Sequence, residues 1–157
     1  MGERFWALVR TLVFFAVGPG MVTFLIPMWL LRNVDTSGGI LFIGAPLIVL
    51  GAALLLWSGF GFSFVGRGTP NPVDEPHELV VWGPYRWVRN PMYVGLLTII
   101  VGEAIAFSLW LLAYAVVLSI VSHVVVVSYE EPHLAQRFGL SYVEYKRRVP
   151  RWIPRPP

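Results

Sequence analysis

The chain has 157 residues, of which 56% are apolar and 13% charged, and a mean hydropathy of +0.66. That apolar share exceeds the usual range of soluble domains, so residues 1–157 read as a single integral membrane domain with runs long enough to cross roughly 30 Å of hydrocarbon, which takes about 20 helical residues. The formal charge of +3 comes mostly from the last stretch, which points to anionic headgroups and away from nucleic acid; with no cysteine, disulfides, thiolate nucleophiles and cysteine metal sites are excluded.

Phe5 to Leu31 is apolar apart from Arg10, Thr11 and Thr23, too long for the apolar part of a cleaved signal peptide, and predicts a first transmembrane helix. Pro19, between Gly18 and Gly20, and Pro27 are expected to kink or open it, because each removes an amide donor and clashes with the preceding turn. Such a break either lines a cavity or fits the helix against its neighbours. Arg32 to Gly39 is a short polar turn, and Ile40 to Val65 is a second membrane-length run, so residues 1–65 form a helical hairpin. Gly44, Gly51, Gly59 and Gly61 permit close helix contact along it.

Gly66 to Pro91 is a long connection in which Pro70, Pro72, Pro76 and Pro84 prevent a long helix. Connections of this length without regular structure are usually functional or disordered, and Leu79, Val80, Val81, Trp82, Tyr85 and Trp87 argue for an ordered loop at headgroup level. Met92 to Ser128 is too long for one crossing and predicts two helices, with the turn at Phe107, Ser108 and Leu109. From Glu130 to Pro157 an amphipathic surface helix is expected, with Leu134, Phe138, Tyr142 and Tyr145 on one face, followed by a proline-punctuated basic segment. Lys146, Arg147, Arg148, Arg151 and Arg155 would face anionic headgroups.

The expected architecture is therefore an all-α integral membrane fold with four transmembrane helices in two hairpins. The distribution of basic residues, with Arg4 and Arg10 ahead of the first helix, predicts cytoplasmic termini. Four crossings then bring the His77 to Tyr93 loop and the Glu130 segment to the cytoplasmic face. Glu103 and His123 are ionisable residues inside predicted helices, where burial demands a partner or a function. Glu103 is expected to make a helix-packing hydrogen bond, and His123 is the site candidate. No group of His and carboxylate residues has metal-ligand spacing.

Three pieces carry the chemistry: His77 with Leu79 and Val80; GPYRWVRNPMY from Gly83 to Tyr93; and EEPHL from Glu130, followed by FGLSYVEY and VPRWIP. In this order, each after the right membrane segment, they resemble the C-terminal half of isoprenylcysteine carboxyl methyltransferases and related phospholipid methyltransferases, over roughly Gly66 to Pro154. The resemblance implies S-adenosylmethionine held between the loop and the last helix, and a lipid-like or isoprenoid acceptor entering from the bilayer. Carried over by position, His77, Leu79 and Val80 fit a His-x-Leu-Val piece that faces the cofactor, and Gly83, Pro84 and Tyr85 fit its Gly-x-Tyr turn. Arg89, Pro91 and Tyr93 fit the Arg-His-Pro-x-Tyr piece, Glu130 and Glu131 its paired glutamates, and Phe138, Gly139, Tyr142 and Tyr145 the Phe-Gly-x-x-Tyr-x-x-Tyr signature. Asn90 stands where isoprenylcysteine methyltransferases carry histidine; asparagine does not titrate near neutral pH but still donates and accepts hydrogen bonds.

Methyl transfer from a sulfonium is an in-line displacement, so the protein must chiefly align the partners and exclude water. Tyr85, Trp87, Tyr93 and Tyr129 offer aromatic faces to the positive charge, Arg89 can pair a carboxylate, and Glu130 or Glu131 can bind amino or ribose groups. Catalytic roles are expected at Arg89, Glu130 and His123, with Asn90 at the cofactor. A carboxylate acceptor needs no general base, whereas an amine or hydroxyl needs one, either His123 or a glutamate of the pair. The same residues have plainer readings as an aromatic belt, phosphate anchors and helix-terminus charges. A nicotinamide-dependent membrane reductase of the sterol reductase type and a non-catalytic membrane protein are the rival classes.

Overall fold

The structure is a computed structural model and describes residues 9, 13–64 and 78–156. Arg4, Arg10, His77 and the proline-rich opening of the long connection lie outside the described residues. Among the described residues every regular element is helical and there is no strand. The first helix, α1, is followed over Val13–Leu31; α2 is Leu41–Phe64, α3 Pro91–Ala106, α4 Leu111–Phe138 and α5 Leu140–Arg148. Three helices are long and apolar enough to cross a membrane, namely α1, α2 and α4. The expected third crossing, α3, has 16 residues, or about 24 Å at 1.5 Å per residue, somewhat less than the hydrocarbon thickness.

Close approach of α2 and α3 organises the bundle. A Cβ on Gly51 would lie 2.6 Å from the Gly95 carbonyl oxygen, and one on Gly95 would lie 2.8 Å from that of Gly51. Gly44 and Gly102 meet in the same reciprocal way, so the two backbones run in contact where any side chain would separate them. Gly59 instead makes room for the Phe15 ring, and Phe15, Leu55 and Ile99 form a cluster joining α1, α2 and α3. The surroundings of Gly61 lie outside the described residues. A second cluster, Leu96, Ile100 and Ala115, seats α4 on α3, with Val22 of α1 and Tyr114 packed against it.

Both hairpins form. The polar turn after α1 is tied to the far one by the Ile40 N–H, which donates to the Ile105 carbonyl at 2.8 Å. Between α3 and α4 the chain turns at Phe107–Trp110, as hydropathy alone placed it, with Leu111 N–H donating to the Ser108 carbonyl at 3.1 Å. Glu103 departs from expectation: its Oε2 is buried and has no hydrogen-bond partner among the described residues.

Two helices contain a wide π turn, and each turn ends two residues before a proline. In α1 the turn is Met21–Leu25, and the Ile26 N–H reaches back five residues to the Met21 carbonyl. In α4 it is Val126–Glu130, with the Glu131 N–H bonded to the Val126 carbonyl. Pro27 and Pro132 follow. A proline has no N–H and its ring crowds the carbonyl four residues back, so widening the turn relieves the clash without ending the helix. In α1 this leaves the Val22 carbonyl without an intrahelical donor, and the Tyr114 hydroxyl fills the gap at 3.0 Å. The α1 break thus serves helix packing. Tyr114→Phe should cost about 1 kcal/mol, read by thermal denaturation in detergent, and less in a Pro27→Ala background where an amide donor is restored.

The C-terminal region differs from expectation. No separate surface helix starts at Glu130, because Pro132 is accommodated by the π turn and α4 continues to Phe138. The break comes at Gly139, whose φ of 54° favours glycine, and α5 then folds back. Leu134, Phe138, Tyr142 and Tyr145 do share one face, but across that break: they form a cluster with Val149 and Leu79 of the long connection.

Candidate functional site

The loop before α3 and the tail after α5 meet at one end of the bundle. The loop arrives through a short 3-10 turn, Gly83–Arg86, where Gly83 takes φ 57° and lies against the Trp57 indole of α2. Trp57 meets both Trp82 and Trp87 edge-on, at 6.4 and 6.1 Å between ring centroids. Beyond it Val88 is buried, and three hydrogen bonds lace residues 87–90 to the tail: Arg89 N–H to the Pro150 carbonyl at 2.9 Å, Asn90 Nδ2 to the Arg151 carbonyl at 3.1 Å, and Arg155 N–H to the Trp87 carbonyl at 3.0 Å. Pro91 then opens α3, at a position where its missing N–H costs nothing.

At the centre is the Glu131 carboxylate, which is 8% exposed. It accepts from Arg89 Nη1 at 2.8 Å and from Arg151 through Nε at 2.6 Å and Nη2 at 3.1 Å, and Lys146 Nζ stands 3.6 Å away. One buried anion thus gathers a loop residue, an α5 residue and a tail residue. Arg89 is itself only 10% exposed, and its Nε is buried with no acceptor among the described residues. The neighbouring Glu130 accepts from the Tyr93 hydroxyl at 2.5 Å. Below them the Tyr145 hydroxyl donates to the Tyr85 carbonyl at 2.8 Å. Burial pushes both tyrosine hydroxyls well above their usual range, so both stay protonated at neutral pH.

From Tyr93 the site continues along the bundle. Its ring meets Trp152 edge-on at 6.2 Å, and the Trp152 indole N–H donates to His123 Nδ1 at 3.1 Å. Beside them lies a groove of about 510 Å³, lined by Val94, Leu97, Thr98 and Val101 of α3, Ser119 and His123 of α4, and Trp152.

Of the residues singled out in the sequence, Arg89, Asn90, Tyr93, Glu130 and Glu131 are brought together, and Trp152 links them to His123. Val80, Pro84, Tyr85 and Pro91 are buried in the packing beneath, and Leu79 lies against the tyrosine cluster. Tyr129, expected at a sulfonium, is exposed and stacks on His133. His77 lies outside the described residues. Arg151 and Lys146 are not free headgroup cations: both pair with Glu131. Arg148 pairs with Glu144 at the surface. Among the described residues no cluster of His, Asp and Glu could hold a metal ion.

This donor set fits S-adenosylmethionine. The orphaned Arg89 Nε suits a carboxylate, and the Tyr93 and Trp152 faces suit a sulfonium.

Fold and site together define an all-helical, multi-pass membrane protein whose polar loop and tail close on a shared carboxylate. Residues 40–141 match the phospholipid methyltransferase family, and the chain belongs to it. Among curated proteins it is 39% identical over 117 residues to protein-S-isoprenylcysteine O-methyltransferase B of Arabidopsis thaliana, covering 71% of this chain and 57% of that protein. The protein-S-isoprenylcysteine O-methyltransferases of Xenopus laevis and Homo sapiens are 30% and 29% identical over 118 and 126 residues, in each case 71% of this chain and 40% of the relative. The chain thus spans about half the length of the curated relatives it matches. No solved structure matches it.

Proposed function

We propose that the protein is an S-adenosylmethionine-dependent methyltransferase acting on a lipid-like or isoprenoid acceptor where the loop and the end of α4 meet. The observation that carries this reading is the buried Arg89 guanidinium, held by Glu131 on one side and with its Nε unpaired on the other, beside the Tyr93–Trp152 aromatic corner. The names of the relatives favour methyl transfer over reduction or a purely structural role.

When bound, S-adenosylmethionine supplies an electrophilic methyl group, and the chain's residues bind and align. Arg89 takes the carboxylate, with its orientation fixed by Glu131 and by its own N–H bond to Pro150. Tyr93 and Trp152 present π faces to the positive charge and exclude water from it. Glu130, oriented by Tyr93, receives amino or ribose donors. Asn90 acts as a fastener, joining the start of α3 to Arg151 without taking part in proton transfer. The acceptor enters along the groove between α3 and α4. In this reading α3 completes a four-helix crossing, the bilayer thinning locally to match its length, and both carboxylates face the cytoplasm.

Titration of the purified protein in detergent with S-adenosylmethionine should show saturable binding, weakened at least about tenfold in Arg89→Ala, the loss expected for one charge-assisted hydrogen-bonding group. A folded wild type that does not bind, or an Arg89→Ala variant with unchanged affinity, would overturn the assignment.

A further inference from the structure

We infer that the cavity at the other end of the bundle, between the α1–α2 and α3–α4 turns, holds the headgroup of a phospholipid that carries a primary ammonium, with Asp35 as its counter-ion. This lipid is a bound companion of the fold and not a methyl acceptor, because the whole of α3, about 24 Å, separates the cavity from the end where Arg89 meets Glu131. The inference does not depend on the methyltransferase reading.

The cavity has a volume of about 440 Å³ and is walled by Asp35 of the first turn, Ala104 and Ile105 at the end of α3, and Ser108, Leu109 and Trp110 of the second turn. The two turns are locked together around it. The Ile40 N–H donates to the Ile105 carbonyl, and Gly39 sits so closely on α3 that a Cβ there would collide with the Ala106 carbonyl oxygen. The recess is therefore built into the fold.

Its polar groups are mostly negative. Asp35 Oδ1 accepts the Ser37 N–H at 2.9 Å, and that bond holds the carboxyl below the usual carboxylate range, so it is ionised at neutral pH. No Lys, Arg or His among the described residues pairs with it. The negative end of the α3 dipole points into the same space, and the Ala104 carbonyl receives no N–H from beyond α3 among the described residues. Arg32, on the same turn as Asp35, lies 5.1 Å over the Trp29 ring and supplies the opposite charge.

A zwitterionic headgroup complements this arrangement. Its ammonium meets Asp35 and its phosphate meets Arg32, while the acyl chains continue past Leu109 and Trp110, which are 67% and 77% exposed. A primary ammonium has three N–H donors for the carboxylate, the Ala104 carbonyl and the Ser108 hydroxyl. A trimethylammonium has none, and a glycerol headgroup brings no positive charge to Asp35.

The test adds dioleoyl phosphatidylethanolamine, phosphatidylcholine or phosphatidylglycerol singly to the full chain in detergent and counts bound lipid by native mass spectrometry, with S-adenosylmethionine binding measured in parallel. Phosphatidylethanolamine should bind about fivefold more tightly than either of the others, the gain expected for one ion pair at a water-exposed site. Asp35→Asn keeps an acceptor for the Ser37 N–H and removes the charge. It should lose the preference and keep its affinity for S-adenosylmethionine, and Asp35→Glu should restore part of the preference. Equal binding of the three lipids, or an Asp35→Asn variant that still prefers phosphatidylethanolamine, would overturn the inference. So would a preference abolished by His123→Phe and untouched by Asp35→Asn, which would place the lipid in the groove between α3 and α4. Soluble phosphoethanolamine binding as tightly as the lipid would make this a site for a free amine and overturn the lipid assignment.

Discussion

Glu131→Ala should lower stability by about 3 kcal/mol and abolish S-adenosylmethionine binding. The carboxylate is 8% exposed and pairs with Arg89, Arg151 and Lys146, which come from three separate parts of the chain. Without it, two guanidinium groups and an ammonium face one another with no counter-charge, and the loop loses its main electrostatic tie to the tail. The buried partner contributes most, because Arg89 at 10% exposure has little access to water. Lys146, 47% exposed, contributes little, so Lys146→Ala should cost less than about 1 kcal/mol. Glu131→Gln separates charge from shape: it keeps the size and one carbonyl acceptor, and should still lose most of the stability. Thermal denaturation in detergent and binding isotherms provide both readouts. A Glu131→Ala variant with wild-type melting and binding would mean that the loop and tail are held by their backbone hydrogen bonds alone.

Gly51→Ala should destabilise the bundle by about 3 kcal/mol, and Gly51→Leu should prevent its assembly. The new Cβ would lie 2.6 Å from the Gly95 carbonyl oxygen and 2.8 Å from the Ile99 backbone nitrogen, and backbone in a packed helix cannot move aside as a side chain can. In a bilayer the cost is not offset by hydrophobic burial elsewhere, because lipid is as apolar as the helix it replaces, and close van der Waals contact is what holds α2 to α3. Gly38 provides the control: a Cβ there has nothing within 4 Å, and Gly38→Ala should leave the melting temperature unchanged. Partial rescue is not expected from shortening the opposing residue, since that residue is already Gly95.

Much of this architecture is visible in the sequence, for a specific reason. Membrane helices announce themselves by length and hydropathy, so α1, α2 and α4 follow from composition, and even the turn at Phe107–Trp110 follows from a run too long for one crossing. Glycine spacing identified Gly44 and Gly51 as contact points, although their partners Gly102 and Gly95 emerge only when α2 and α3 are placed side by side. At the site, hairpin topology brings Arg89 and Tyr93 to the same end as Glu130 and Glu131, whereas the pairings themselves are long-range. Arg151 illustrates the limit. In the sequence it is one of several tail cations equally suited to headgroups, and it is told apart from Arg148 only by its 2.6 Å contact with Glu131. The start expected at Glu130 is not a helix boundary, since the chain absorbs Pro132 by changing the width of a turn and the helix continues.

That wide turn has a consequence for α4 as a whole. A π turn is a one-residue phase shift inside a continuous rod: every side chain beyond it is rotated relative to the face established below. The lower part of α4 takes its angular setting from Leu111 and Ala115 against the bundle. At the end of Val126–Glu130 the setting is reset, and two consecutive carboxylates address different elements: Glu130 meets Tyr93 of α3 and Glu131 meets Arg89 of the loop before it. One helix thereby carries two independent azimuths, one indexed to the membrane and the other to the chemistry at its end.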